Sequence, residues 1–263
     1  MTATYLDAIL AAHRARAAAD TRSIEPLLDE ARSMAPARGF GAAIERDSTT
    51  AIAVIAEVKR RSPSKGDLAA DLDPAALARD YAAGGASCLS VLTDVDHFGG
   101  SVADLHSARS AVALPVIRKD FTVAALDVVD ARLMGADCVL LIAAALDDAE
   151  LADLHGLAIE LGVDALVEVH DEAEVARAVA VGATIVGVNQ RDLVTFQVDT
   201  ARAVRVGPLL PPGVVRVAES GITGPDDVVP LAAAGYHAVL VGEHLVRSGD
   251  PAKAVAGLRA PRP

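Results

Sequence analysis

Glu57 and Lys59 stand two residues apart near the end of "VIAEVKRRSPSKG", a stretch that opens as an apolar run and breaks into Ser-Pro-Ser-Lys-Gly. An acid beside an ammonium suits proton transfer, because each group shifts the pKa of the other and one can give a proton while the other takes one. The same residue types recur downstream: Lys119 and Asp120 in "PVIRKDF", Glu168 in "ALVEVH", Asn189 and Arg191 in "GVNQRD", Glu219 and Ser220 in "AESG". Taken singly, each could be a solvated charge at the end of a strand, and Asn189 could simply cap its loop. Taken together they need a common reason, since mixed charges that gather in a buried place are costly unless they are paired or used. Lysine usage adds a hint. Of the 24 Lys plus Arg only Lys59, Lys65, Lys119 and Lys253 are lysine, and two of these four end apolar runs. An ammonium, unlike a guanidinium, can release a proton when it is partly desolvated.

The elements that must position these residues can be read from hydrophobic period and turn chemistry. Eight strands are expected: "AIAVIAEV" from Ala51, "ASCLSVLT" from Ala86, "LPVIRKD" from Leu114, "DCVLLIA" from Asp137, "VDALVEVH" from Val163, "ATIVGVN" from Ala183, "VVRVAES" from Val214 and "HAVLVG" from His237. Each interval is long enough for a crossover helix. Asp73-Pro74 and Asp250-Pro251 mark helix entries, Gly84-Gly85 an exit, and Pro230 should shorten or kink the helix that contains it. Eight strands alternating with helices predict an α/β chain folded as a (β/α)₈ TIM barrel. An open doubly wound sheet is disfavoured, because no G-x-G-x-x-G follows the first strand. Residues 1–263 read as one barrel domain, with residues 1–48 as an N-terminal helical extension. Its two helix-like segments, Thr4 to Ala19 and Ser23 to Met34, should pack on the barrel through Leu6, Ile9 and Leu10.

In such a barrel the chemistry sits at the carboxyl ends of the strands. Side chains two apart share a face, so Ile55, Glu57 and Lys59 should point into the barrel mouth while Val54, Ala56 and Val58 pack under helices. The same parity aligns Ile117, Lys119 and Phe121, Leu166 with Glu168, Gly187 with Asn189 and Arg191, and Val217 with Glu219. Three acids, two lysines, an amide and an arginine then converge on one cavity. After the seventh and eighth strands come "ESGI" and "VGEHL". Glycines there, Gly221 and Gly242, allow backbone N–H groups to approach an anion, as phosphate sites of these barrels require.

Composition narrows the function further. A formal net charge of −12 argues against a nucleic-acid surface. No apolar run reaches the roughly 18 to 20 residues of a membrane span. Asp7 and His13 interrupt the only apolar stretch near the start, so no secretory signal is expected and a cytoplasmic location follows. Cys88 and Cys138 lie inside apolar runs and read as packing residues. The histidines show no metal-binding spacing, and His170 reads as a loop or helix-start residue.

The motifs "IAEVKRRSPSKG", "PVIRKDF", "LLIAAAL", "ALVEVH", "GVNQRDLVTFQVD", "AESGI" and "VLVGE" occur in the order and at the spacing of the indole-3-glycerol-phosphate synthase family, and the resemblance extends to about Leu258. It implies cyclisation of 1-(2-carboxyphenylamino)-1-deoxyribulose 5-phosphate to indole-3-glycerol phosphate with loss of carbon dioxide and water, without cofactor or metal. By motif, Lys119 resembles the general acid that protonates the ribulose carbonyl. Lys59 resembles the ammonium that holds the substrate carboxylate and can assist the later dehydration, for which Glu57 and Glu168 are the acid and base candidates in either order. Asn189, Arg191, Glu219 and Ser220 resemble positioning groups. Ser62, Gly221, Gly242 and the amide of Glu243 would surround the phosphate, and Phe98 and Phe121 would line the aryl pocket. "DHFGGS" departs from the family pattern by placing His97 where many relatives have an aromatic residue, and Glu243 stands where some have Ser. The implied partner is a small anionic phosphosugar, with no nucleic acid or membrane, on a monomer or weak homo-oligomer. Another sugar-phosphate barrel, such as a phosphoribosyl isomerase, would explain the phosphate loops but not Lys59, Lys119 and Glu168. A barrel that only binds a ligand would have no need of paired acids and bases.

Overall fold

The structure, a computed structural model, describes residues 5–62 and 65–262. Thr4, expected at the head of the first helix, and Pro63 and Ser64 of the expected turn lie outside the described residues. Among the described residues eight strands form the barrel: β1 Ala53–Val58, β2 Cys88–Leu92, β3 Val116–Lys119, β4 Cys138–Ile142, β5 Asp164–Val169, β6 Ile185–Asn189, β7 Val215–Glu219 and β8 Ala238–Val241. Each pairs in parallel with the next, and β8 returns to β1 to close the barrel. Closure explains the composition of these segments. Both faces of every strand are covered, so the strands are apolar almost without interruption until their last residues.

Alternation divides the core into two layers. Ala53, Ile55, Cys88, Ile117, Cys138 and Leu166 fill the barrel interior, whereas Val54, Ala56, Val58, Leu89 and Val91 pack outward under the helices. Parity therefore worked as expected in β1, and both cysteines are buried packing residues. Register brings the polar strand ends level with one another: Glu57 lies beside Ser90, Leu92 beside Lys119, Ile142 beside Glu168 and Asn189 beside Glu219.

The crossover helices are α4 Pro74–Ala83, α5 Val102–Ala111, α6 Ala125–Leu133, α7 Asp148–Glu160, α8 Glu172–Ala180, α9 Arg202–Val206, α10 Pro225–Ala233 and α11 Pro251–Gly257. Asp73 caps α4 by accepting from the N–H groups of Ala75 and Ala76, and Asp250 caps α11 through Lys253. Pro230 departs from expectation. Helix α10 runs through it for nine residues, the same length as α6 and α8. Pro230 is exposed, so the carbonyl it leaves without a helical donor can be solvated. Among the described residues no helix is long and apolar enough to cross a membrane.

Ahead of β1 the chain forms three helices, one more than the sequence suggested: α1 Tyr5–Ala19, α2 Ile24–Ser33 and α3 Phe40–Asp47. They strap the barrel from end to end. Helix α1 lies at the carboxyl rim, where the His13 ring meets the Asp94 carboxylate at 2.9 Å and Arg14 binds Glu150 and the Ala145 carbonyl. Arg22 then pairs with Asp130 and Arg32 with Glu160, which leads α2 along α6 and α7. Helix α3 plugs the amino end. Phe40 and Ile44 are fully buried in the interior layer, and the Gly41 N–H donates to Asp164 at the start of β5. At eight residues, α3 is too short to show a helical period. Phe40→Ala should leave a void beneath the barrel floor and lower unfolding free energy by about 3–5 kcal/mol. Urea denaturation measures this, and a change below about 1 kcal/mol would show that the plug carries little of the stability.

Candidate active site

The carboxyl ends of the strands surround a cavity of about 960 Å³. Glu57, Lys59, Lys119, Glu168, Asn189, Glu219 and Ser220 all line it. So do Ser62, Phe98, Phe121, Arg191, Gly221, Gly242 and Glu243. The residues that strand parity and strand-end position single out thus converge on one cavity.

Lys119 is its centre. From the end of β3 its Nζ reaches Glu168 Oε2 on β5 at 3.2 Å and Glu219 Oε2 on β7 at 3.5 Å. The other Glu168 oxygen accepts from Asn189 Nδ2 at 3.0 Å, while the Asn189 oxygen accepts from the Arg191 N–H. Asn189 therefore does both jobs that the sequence left open, holding a carboxylate and capping its loop. Lys59 lies 3.2 Å from Glu57 Oε1, Ser90 donates to Glu57 Oε2, and the Lys59 ammonium sits 5.5 Å from the Phe98 ring centroid.

Burial works against the charges of Lys119, Glu168 and Glu219. In Lys119 it pushes the ammonium toward neutrality, but Glu168, Glu219 and Glu57 together outweigh it and hold the group above its ordinary value. This corrects the expectation that desolvation would ready a lysine to lose its proton. Burial also raises Glu168, yet Lys119, His170 and Asn189 bring it below the usual carboxylate range. Glu219 goes the other way. Burial is the main cause, Lys119 opposes it, and the nearby Glu168 and Glu57 carboxylates carry it up to about 8. The cluster thus separates two glutamates that bind the same ammonium: Glu168 is ionised at neutral pH and Glu219 holds a proton.

Glycine makes this packing possible. Gly187 has inward parity on β6, and a Cβ there would collide with the Glu219 carboxylate. Gly242 has a similar role, because a Cβ on it would run into Glu57. The sequence marked Gly242 only for anion approach and gave no reason for Gly187. The backbone bends sharply after β7: Ser220 has φ 65° and Gly221 φ 73°. For a non-glycine residue this is an uncommon conformation. The Ser220 carbonyl is fixed by a bond from Gln190 Nε2 at 2.8 Å.

Several lining residues were not foreseen. Leu140, Ile142, Leu193 and Phe196 add apolar wall to that of Phe98 and Phe121. Lys65, His244 and Arg247 add cationic groups, with Arg247 lying 3.8 Å from the Glu243 carboxylate. His97 turns away from the wall toward Asp94, at 3.0 Å, and packs edge-on against Tyr5. Asp94 thereby gathers His13 and His97, 81 and three residues away in the chain, so no local spacing could reveal the group. Arg60 pairs twice with Asp104 at the head of α5, while Arg61 pairs with the exposed Asp67.

The sequence model of the family described as indole-3-glycerol phosphate synthase matches residues 6–258. The indole-3-glycerol phosphate synthase of a Nocardioides species is 61% identical over 202 residues, 77% of this chain and 78% of the relative. That of Kineococcus radiotolerans is 51% identical over 261 residues, 98% of this chain and 95% of the relative. A crystal structure of 3-hexulose-6-phosphate synthase superposes with a TM-score of 0.62 over 79% of this chain and 98% of its own. At 17% identity it shows the shared barrel alone.

The Glu219 proton predicts a pH-dependent stability. Between the ordinary glutamate value of about 4.3 and a folded value of about 8, the folded protein holds a proton that the unfolded chain has lost. Stability contributed by this group is full below that window and is lost as pH rises through it. Glu219→Gln keeps a neutral side chain throughout, so its denaturation midpoint should decline less from about pH 5 to 8 than that of the unchanged protein. Parallel declines in the two proteins would show that Glu219 ionises normally.

Proposed function

The chain belongs to the indole-3-glycerol phosphate synthase family, and we propose how its own residues divide the work of that reaction. It is a carboxy-lyase of tryptophan biosynthesis that cyclises 1-(2-carboxyphenylamino)-1-deoxyribulose 5-phosphate with loss of carbon dioxide and water. The observation that carries our reading is the position of Lys119, whose Nζ lies between the Glu168 and Glu219 carboxyl groups in the cavity.

In this reading, Lys119 donates to the ribulose carbonyl oxygen as the aromatic carbon bearing the carboxylate attacks the carbonyl carbon. An ammonium held above its ordinary value is a weak acid toward water, but the oxygen becomes an alkoxide-like base as the new bond forms, and the proton then moves downhill. Lys59, between Glu57 and the Phe98 ring, anchors the substrate carboxylate until it leaves as carbon dioxide. The new hydroxyl departs as water with a proton from the cluster, and a base takes the ring proton whose loss completes the indole.

Glu168 suits the base, since it is ionised and fixed by Asn189. Glu219 is the group already carrying a proton near neutral pH, which adds an acid that the sequence reading had classed with the positioning groups. Glu57 and Lys59 remain together at the hydroxyl end, and Arg191 and Ser220 position the sugar. The phosphate is assigned to Ser62, Gly221, Gly242 and the Glu243 amide, with Lys65 and Arg247 beside the same cavity as added cationic support. Helices α1 to α3 act as the extension expected over residues 1–48, on one barrel domain. The two unpaired, buried cysteines fit a cytoplasmic setting, where thiols stay reduced.

The experiment follows the appearance of indoleglycerol fluorescence from the anilino-deoxyribulose phosphate. Lys119→Gln should lower kcat by about 10² to 10⁴ while circular dichroism stays native. Turnover within a few-fold of the unchanged protein would remove Lys119 from the chemistry.

A further inference from the structure

His170 directly follows β5, two residues beyond Glu168, and is absent from the cavity wall. Its surroundings hold it in a single orientation. The Glu174 carboxylate, in the first turn of α8, accepts both the His170 backbone N–H at 2.7 Å and faces its Nδ1 at 3.0 Å. With Nδ1 committed to Glu174, Nε2 is turned to the back of Glu168, where it stands 3.6 Å from Oε1. That nitrogen is buried and has no hydrogen-bond partner. A buried imidazole nitrogen left just short of hydrogen-bond range is a cost that ordinary packing would remove.

We propose that His170 is a positioning residue for the reaction, an imidazolium held by Glu174 that steadies the Glu168 carboxylate from behind when Lys119 turns to the substrate. The proposal rests on the reading of Glu168 as the base. At rest Glu168 has two close partners, Lys119 on Oε2 and Asn189 on Oε1. A substrate carbonyl that engages the ammonium must loosen the bond to Oε2. A carboxylate losing its cationic partner in a dry cavity would take up a proton and cease to be a base. A second cation that never touches the substrate prevents this, and a movement of a few tenths of an ångström brings Nε2 into range.

The charges facing the ring support its protonated form. Burial disfavours it and Arg202, on α9, opposes it as a like charge, but Glu174 and Glu168 together raise the imidazole above its ordinary value. Asp171 is the N-cap of α8 and is spent on the Glu174 N–H, so it does not compete for the ring. A histidine that merely filled the entrance to α8 would need the bond to Glu174 and nothing on its other side.

The test compares His170→Phe and His170→Gln with Glu168→Gln and the His170→Phe/Glu168→Gln double variant in the fluorescence assay across pH. Loss of the cation should make Glu168 harder to ionise. The acid limb of the kcat profile should then move up by about one pH unit in His170→Phe. The value of kcat on the plateau should fall roughly ten- to a hundredfold with little change in KM. Glutamine, which can donate but carries no charge, should restore part of kcat without restoring the limb. In the Glu168→Gln background the His170→Phe change should cost almost nothing further. A limb that does not move, or full additivity in the double variant, overturns the proposal. If Glu168→Gln itself stays active, the reading of Glu168 as base has failed. The nitrogen NMR titration of His170 then decides whether the pair exists without reference to turnover: its midpoint falls in Glu168→Gln if Glu168 faces the ring, and an unchanged midpoint overturns the pairing.

Discussion

One ammonium and three carboxylates cannot share a dry cavity as independent charges, and much of this molecule can be understood as the solution to that constraint. Lys119 satisfies two carboxylates at once from the end of β3, and the excess negative charge is removed by leaving a proton on Glu219. Such an arrangement tolerates little displacement, because pairing in low dielectric compensates desolvation only at good geometry. The closed barrel supplies that geometry. Fixed register sets β5, β6 and β7 side by side, with β3 one strand further round beyond β4, and Gly187 leaves the volume that the Glu219 carboxylate occupies.

The same proton count bears on how a chain of net charge −12 accepts a doubly anionic substrate. Lys59, Lys119 and Arg191 are not a bare cationic patch, since Glu57 and Glu168 offset two of them. Had Glu219 been ionised as well, the inner cluster would present no net attraction. With Glu219 neutral one positive charge remains uncompensated, and the field that the substrate meets near the bottom of the cavity is favourable. Lys65 and Arg247 extend this field along the wall. The attraction is local, which permits the rest of the surface to stay acidic.

Strand parity made the inner set legible in the sequence, because one rule applied to five strands selects Glu57, Lys119, Glu168, Asn189 and Glu219 and places them on a single face. What parity could not convey was contact between distant segments. Helix α3 carries too few residues to display a period, yet Phe40 closes the barrel floor. His13 meets Asp94 across 81 residues, and the imidazole of His97 joins them instead of lining the aryl pocket. Gly187 read as an ordinary strand glycine because the side chain that needs its space comes from the next strand. The direction of the lysine shift was missed for a related reason: burial alone lowers an ammonium, and only the coordinates of Glu168, Glu219 and Glu57 show that their combined field wins.

The central claim is the protonation pattern of the cluster at neutral pH, with Lys119 and Glu168 charged and Glu219 neutral. Carbon NMR of protein labelled at the glutamate side-chain carboxyl carbons observes these states directly, with Glu168→Gln and Glu219→Gln to assign the two signals. The account predicts that one carboxyl, missing in Glu219→Gln, is protonated at pH 7 and titrates with a midpoint near 8, while the Glu168 signal remains that of a carboxylate well into acid. A spectrum in which both glutamates are fully ionised by about pH 6 would contradict it.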